Sequence, residues 1–344
     1  MFVPVVDKKG TPLMPTKIGR AKRWAKSGKG TPFMKKGIFC IRLNVEPSDR
    51  KMQKIAIGID PGSKREAYTV KSKAHTYLNV LTETPDWIKD ALEVRRNMRR
   101  ARRFRNCRRR ECRFDNRHKS KLPPSTKARW NFKINNVKNI QKVFPITDIV
   151  VEDICATTKS GKRKWNSSFS PLEIGKKWFY QEIAKLGNLT IMKGYETKEL
   201  RDFLGLKKSR EKLSDKFSTH NIDSWVLANH LVGGHLRPDN EDLVKFVPLR
   251  FHRRQLHALQ PIIGGERRDY GGTMSLGLKR GSLIKHKKHN IVYVGGTMDN
   301  KISVHNIWTG KRIAQNVKIC DCKFLTFSSI RNDSIVSSTG TEVP

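Results

Sequence analysis

The sequence predicts an α/β fold: three strands in a row, then strands alternating with helices, with a small basic module ahead of them and a β-rich module behind. Three observations carry this. Short β-branched runs at 54–60, 66–71 and 76–82 are only a few residues apart, whereas later runs at 147–153 and 189–193 are separated by segments of helical periodicity. Between the two sets the composition turns abruptly to arginine. From about residue 246 onward, paired glycines and short alternating runs replace both patterns.

Residues 1 to about 50 hold twelve Lys and Arg against three acids, with turn-formers at Gly10-Thr11-Pro12 and from Gly28 to Pro32. They make a small basic module. Lys54 to Asp60 is short, apolar and β-branched, as a buried strand requires, and Pro61-Gly62-Ser63 forces a turn after it. With the runs near 66–71 and 76–82 it forms an antiparallel meander. Across 87–122 neither Gly nor Pro interrupts the helix formers. Within that span Arg95 to Arg117 holds twelve Arg, no Lys and two acids, a net +10 in 23 residues, so the long helix expected there is polar on every side. Ser125 is the expected N-cap of an amphipathic helix that carries Trp130, Ile134, Val137, Ile140, Val143 and Phe144 and ends near Pro145. Thr147 to Asp153 reads as a further buried strand. A polar loop (157–170), a helix near 172–186, a strand near 189–193 and a helix near 219–232 follow. In the last module, Asn290 to Val294 alternates as a strand does.

The 71 Lys and Arg against 31 Asp and Glu give a formal net charge of +40. Such an excess opposes compaction unless a polyanion neutralises it, which points to nucleic acid and away from an enzyme of neutral small molecules. A hydrophobic share of 37% still supports a real core, which excludes wholesale disorder. No run approaches the ~20 apolar residues of a membrane span and the first residues lack a signal-peptide pattern, so a soluble intracellular protein with no membrane contact is expected. The six cysteines show no C-x-x-C spacing. Cys107/Cys112 and Cys320/Cys322 lack the partners of a zinc site, and reduced thiols are expected.

Three carboxylates occupy places from which side chains converge on one edge of a sheet. Asp60 ends the first buried strand, Glu152 ends a later one, and Asp223 stands near the start of a helix. In so basic a chain, acids gathered among phosphate-binding residues serve to hold Mg²⁺ or Mn²⁺, hard cations that prefer oxygen ligands and activate water against a phosphodiester. Taken singly, Asp60 before Pro-Gly also reads as a turn starter, and Asp223 as a first-turn acid favoured by the helix dipole. Glu152 follows Ile-Val-Val directly, where an unpaired carboxylate is costly, and so calls for a metal or an Arg partner. Asp153 beside it is a rival ligand. His220, three residues before Asp223, shares a helix face with it and reads as a general base or proton carrier.

The arginine run comprises Arg95, Arg96, Arg99, Arg100, Arg102, Arg103, Arg105, Arg108, Arg109, Arg110, Arg113 and Arg117. A solvated basic tail is the plainer reading of such a run. Against it, the run is internal and uses Arg alone in a chain otherwise rich in Lys. Arg offers planar bidentate contacts to phosphate and stacks on bases, where Lys is a point charge. Nucleic-acid binding is therefore expected. Trp130, Trp178 and Trp225 sit in helical apolar patterns and are assigned to packing, not to base stacking.

These pieces together resemble the transposon-encoded, RNA-guided IscB and IsrB proteins, relatives of the type II CRISPR effector nuclease. Pro12-Leu13-Met14-Pro15 is similar to the motif that names the family's PLMP domain. Ile57-Gly58-Ile59-Asp60-Pro61-Gly62-Ser63-Lys64 resembles the first RuvC motif, Val150-Val151-Glu152-Asp153 the second, and His220-Asn221-Ile222-Asp223 the third. Arg99-Arg100-Ala101-Arg102-Arg103, followed by Arg113-Phe114-Asp115-Asn116-Arg117, resembles the arginine-rich bridge helix. Arg253 to His257 and Tyr270-Gly271-Gly272-Thr273 are similar to the C-terminal domain that contacts the target-adjacent DNA motif. At one place the chain departs: Arg65-Glu66-Ala67 follows Ser63-Lys64 where the family opens its next strand with Gly, which bears on the local turn.

The resemblance implies an RNase H-like (RuvC) core split by an arginine-rich bridge helix. The divisions it implies are a PLMP domain at 1–50, RuvC part I at 51–86, the bridge helix at 87–122, RuvC parts II and III at 123–245, and a C-terminal β-rich target-adjacent-motif-interacting domain at 246–344. It implies Asp60, Glu152 and Asp223 as ligands of two Mg²⁺ ions, with Mn²⁺ as substitute, and His220 as catalytic. RNA contacts fall on the twelve arginines, and DNA contacts on Arg253, Arg254, Tyr270, Lys279 and Arg280. The partners it implies are a guide ωRNA, double-stranded target DNA with an adjacent motif, and the RNA–DNA heteroduplex, bound by a monomeric protein in a prokaryotic cytoplasm. Guide pairing would supply specificity while the protein holds the heteroduplex by its backbone. No histidine occurs from Lys119 to Thr219, so an HNH nuclease between the second and third motifs is absent, as in IsrB and unlike IscB. The activity implied is RNA-guided nicking of the displaced, non-target strand. Two other readings stand beside it: an RNase H-fold nuclease that recognises DNA structure without RNA, and a non-catalytic RNA-binding protein.

Overall fold

A computed structural model describes residues 2–104, 122, 124–153, 171–248, 259–260, 265–266, 274–307, 309–327 and 330–336. The chain divides into two compact units, the second covering Val247–Asp333.

The first unit begins with four strands, β1 (Phe2–Val6), β2 (Pro12–Lys17), β3 (Gly30–Lys35) and β4 (Ile38–Leu43), in the order β2-β1-β4-β3. A helix, Ile18–Lys26, lays Ala21, Trp24 and Ala25 on the core formed by Val3, Val5, Leu13, Ile41 and Leu43.

The central sheet is built on β5 (Ile55–Asp60), β6 (Arg65–Ser72) and β7 (Thr76–Glu83), the antiparallel meander expected. On the other side of β5 come β8 (Asp148–Asp153) and β9 (Asn188–Lys193), both running parallel to it. The resulting order β7-β6-β5-β8-β9, with only β6 reversed, is the RNase H-like arrangement. β10 (Leu243–Pro248) extends it, pairing parallel with β7 across the boundary expected at 245/246, and Ile330–Val336 forms the outer edge. β5 is buried from Ile55 to Ile59, which explains its unbroken apolar run: both faces are covered.

The helices depart from expectation at two points. Ser125 is not an N-cap, because the helix Pro124–Gln141 begins one residue earlier, at a proline whose fixed φ and missing N–H suit a first helical position. A helix at Gly194–Phe203 has no counterpart in the sequence reading; the Glu196 carboxylate accepts the Lys193 N–H at 2.6 Å and closes its first turn. The arginine-rich helix is described for Trp87–Phe104, and the remainder of 105–121 lies outside the described residues, as does the loop at 157–170. Trp130 packs on Phe179 with ring centroids 4.8 Å apart, and Trp225 is fully buried, so both serve packing.

The helix Phe217–Val232 lies across the meander, buried from Asn221 to Asn229. Its buried polar side chains fix its position. Asn221 donates to the carbonyls of Tyr68 and Val80, both at 3.2 Å, Ser224 bonds Thr69 at 2.8 Å, and the Trp225 indole donates to Thr76 at 3.0 Å.

The second unit holds a five-stranded antiparallel sheet around Ile284, Val292, Val294, Ile302 and Val304. The expected strand at Asn290 runs to Met298 and shifts register between Val294 and Thr297, where Gly295-Gly296 stand. Among the described residues no helix is long and apolar enough to cross a membrane.

Candidate active site

Parallel pairing of β5 with β8 sets Gly58 against Val150 and Ile59 against Val151, so Asp60 and Glu152 emerge side by side at the carboxyl ends of the two strands. The chain turns one way from β5 to β6 and β7 and the other way to β8 and β9, and crevices for ligands form outside such a switch point. Asp223 comes from the helix overhead. Ligand oxygens of Asp60, Glu152 and Asp223 all lie within 4.8 Å of one another. The structure thus brings together the three carboxylates singled out in the sequence.

Burial pushes Asp60 up to about 6, with Lys208 opposing the shift and Asp223 adding to it. Burial pushes Glu152 up to about 7, with the charges of Asp60 and Asp223 adding to the effect. Excess negative charge in a half-buried site needs cations, and two basic side chains supply them. Arg201 bonds Asp223 at 2.6 Å, and Lys208 is paired with Asp223 and lies 3.7 Å from Asp60. Burial alone would lower the Lys208 ammonium, but Asp60 and Asp223 beside it hold it above its usual range. An all-oxygen donor set with surplus charge fits a hard divalent cation.

Asp153 is not part of this group. It accepts from Tyr180 at 2.7 Å and pairs with Lys176 at 2.8 Å, because successive strand residues point to opposite faces. His220 is not part of it either; its Nε2 lies 3.3 Å from a guanidinium nitrogen of Arg65.

Arg65 and Glu66, the departure from the family pattern, leave the turn intact. Gly62 is still required, because a Cβ there would sit 1.7 Å from the Arg65 carbonyl oxygen. Glu66 is buried, paired with Lys133, and accepts from the Tyr68 hydroxyl at 2.6 Å.

Of the arginines, Arg95, Arg96, Arg99, Arg100, Arg102 and Arg103 fall on the helix Trp87–Phe104, where Arg96, Arg99 and Arg100 are exposed. Arg105, Arg108, Arg109, Arg110, Arg113 and Arg117 lie outside the described residues, as do Arg253, Arg254 and Tyr270. Lys279 is exposed in the second unit, its ammonium 4.2 Å from the Phe327 ring centroid, and Arg280 follows it half-buried. The sequence reading missed Lys208, Arg201 and Arg65. Lys208 sits in the run Lys207-Lys208-Ser209-Arg210, indistinguishable in sequence from the chain's many solvated cations.

Comparison with known proteins adds the following. Solved structures that match include Thermus thermophilus RuvC in complex with a Holliday junction substrate, 13% identical, covering 53% of this chain and 98% of that one at a TM-score of 0.28. Thermus thermophilus RuvC also matches, 13% identical, covering 51% and 90% at a TM-score of 0.26. No curated protein sequence matches the chain. The sequence model of the RRXRR protein family matches residues 3–164, a span that runs from β1 through the arginine-rich helix and past Asp60 and Glu152. Over that span the chain is similar to the RRXRR family, which fits an IscB- or IsrB-like protein.

Proposed function

We propose that the chain is an RNA-guided DNA nickase that cuts the displaced, non-target strand by Mg²⁺-dependent hydrolysis. The observation that supports this best is the convergence of Asp60, Glu152 and Asp223 at the carboxyl edge of an RNase H-like sheet. The chain that carries them has a net charge of +40 and exposes Arg96, Arg99 and Arg100 on one helix.

In this reading the three carboxylates would hold the ions, and bound Mg²⁺ supplies activation of water and charge neutralisation at the departing 3′ oxygen. Lys208 and Arg201 turn from the carboxylates to the phosphodiester. His220 accepts a proton at Nε2. The arginine-rich helix binds guide-RNA phosphate, and the second unit, with Lys279 and Arg280, contacts duplex DNA beside the target. The interval from Lys119 to Thr219 has no histidine and so no second nuclease of the HNH kind, which leaves one cut per target.

The test is a guide-matched duplex, end-labelled on each strand in turn and incubated with protein, guide RNA and Mg²⁺. Cleavage of the displaced strand alone is expected. Guide-dependent cleavage of the paired strand sinks the nickase reading, and equal cleavage without RNA makes the protein a structure-specific nuclease.

A further inference from the structure

Arg65 opens β6, five residues after Asp60, and its guanidinium is fixed from two sides. Nη1 lies 2.6 Å from Asp215 Oδ1 and donates to the Ser214 carbonyl at 2.8 Å. Asp215 is held in turn by Lys245 at 3.0 Å, which also pairs with Glu83 at 3.1 Å. So anchored, the same Nη1 approaches Nε2 of His220 at 3.3 Å. A protein guanidinium is always protonated and can only donate. Nε2 must therefore bring a lone pair, which leaves the ring neutral with its proton on Nδ1.

We infer that Arg65 is a positioning residue for the reaction: it selects the neutral, Nδ1-protonated form of His220 and keeps the proton-accepting lone pair on Nε2. The inference rests on His220 being the proton acceptor. Nε2 is freed when a DNA phosphate, a doubly accepting partner for the guanidinium, draws Arg65 away; the Arg65 side chain is 20% exposed. The charged and polar groups that face His220 are Arg65 from β6, Asp215 and the Ser214 carbonyl from the loop ahead of its own helix, and Lys208 from farther back in that loop. Burial first, then Arg65, hold the imidazole below its usual range, with Lys208 adding to the effect; Asp215 and the Ser214 carbonyl oppose it.

The experiment is long-range ¹H–¹⁵N correlation spectroscopy of the imidazoles in the full-length, metal-free protein, with His220→Gln identifying the His220 signals. At about pH 7.5 the wild-type ring is expected with Nδ1 protonated and Nε2 bare. Arg65→Gln should raise its pKa by on the order of one and mix the two tautomers. Guided nicking by Arg65→Gln should then lose roughly tenfold on the acidic limb of its pH profile and recover at higher pH, since only the neutral ring accepts a proton. Arg65→Lys, which keeps the charge but not the fork, should leave the pKa low; it serves also if Arg65→Gln does not fold. An Nε2-protonated wild-type ring, an unmoved pKa in Arg65→Gln with a native amide spectrum, or a raised pKa in Arg65→Lys overturns the inference. If the spectra behave as expected while the acidic limb stays in place, Arg65 sets the ring but His220 is not the base, and the catalytic reading of His220 fails alone.

Discussion

A Cβ placed on Gly58 would sit 1.9 Å from the carbonyl oxygen of Ser224. β5 and the helix above it therefore meet backbone to backbone, and that contact sets the separation of Asp60, two residues beyond Gly58, from Asp223, one residue before Ser224. Gly58→Ala should lift the helix. We expect a loss of ~1–3 kcal/mol from overpacking, read by urea unfolding, and a fall in nicking at temperatures where the variant remains folded. Wild-type nicking by a folded Gly58→Ala protein would show that the contact does not set the site.

Asp60→Ala, Glu152→Ala and Asp223→Ala should each abolish nicking while RNA and DNA binding persist, because the carboxylates are gathered within 4.8 Å for a cation and not for phosphate. Chelation of divalent ions should have the same effect on the wild type. Gel shifts beside the strand-labelled assay check both parts. Nicking by Asp60→Ala at the wild-type rate would remove Asp60 from the site.

The raised carboxylates give the metal-free protein a pH dependence of definite sign. Folded pKa values of about 6 for Asp60 and about 7 for Glu152 exceed their ordinary values of 3.8 and 4.5, so the native state binds more protons than the unfolded state in between. Their contribution is fully present below the ordinary values and is lost as pH rises through about 7. Metal-free protein should melt at a higher temperature near pH 5 than near pH 8, and a combined Asp60→Asn, Glu152→Gln variant should lose this difference. Mg²⁺ should bind more tightly as pH rises over the same range, because it must displace those protons. Calorimetric titration at several pH values checks this.

Glu66 and Lys133 form a buried pair under the first turn, with Lys133 also donating to the Gly62 carbonyl at 3.2 Å. Lys133→Met leaves the Glu66 carboxylate buried without its cation and should cost about 3–5 kcal/mol. Pairing it with Glu66→Gln should recover most of that loss. Chemical unfolding of both variants decides; a Lys133→Met loss below 1 kcal/mol, roughly that of an exposed pair, would contradict the buried geometry.

Changing Arg99, Arg100, Arg102 and Arg103 to Ala should weaken guide-RNA binding and flatten its dependence on salt. Each lost phosphate contact removes roughly 0.7–0.9 from the log–log slope. Filter binding across a salt series measures it, and an unchanged slope would return these residues to an ordinary solvated run.

The sequence alone determined five strands of the central sheet and the three acids at its edge, but not that Leu243–Pro248 and Ile330–Val336 join that sheet. β5, β6, β7, β8 and β9 are short β-branched runs bounded by turn-formers, and such local patterns survive folding because β5 to β8 are buried along most of their length. Glu152 was legible because a carboxylate directly after a buried apolar run has few inexpensive environments, whereas Asp60, which alone also reads as a turn starter, was legible only in company with it. Local signals failed where long-range contacts supply the partner. The cations of the site come from Arg201 and Lys208, whose importance lies only in what they touch. Helical spacing put His220 and Asp223 on one face, but only the tertiary structure decided that His220 meets Arg65, 155 positions earlier in the chain. Residue type and spacing fix which groups are available and on which element they stand. The close approach at Gly58 and the pairing register of β5 with β8 fix which of them meet.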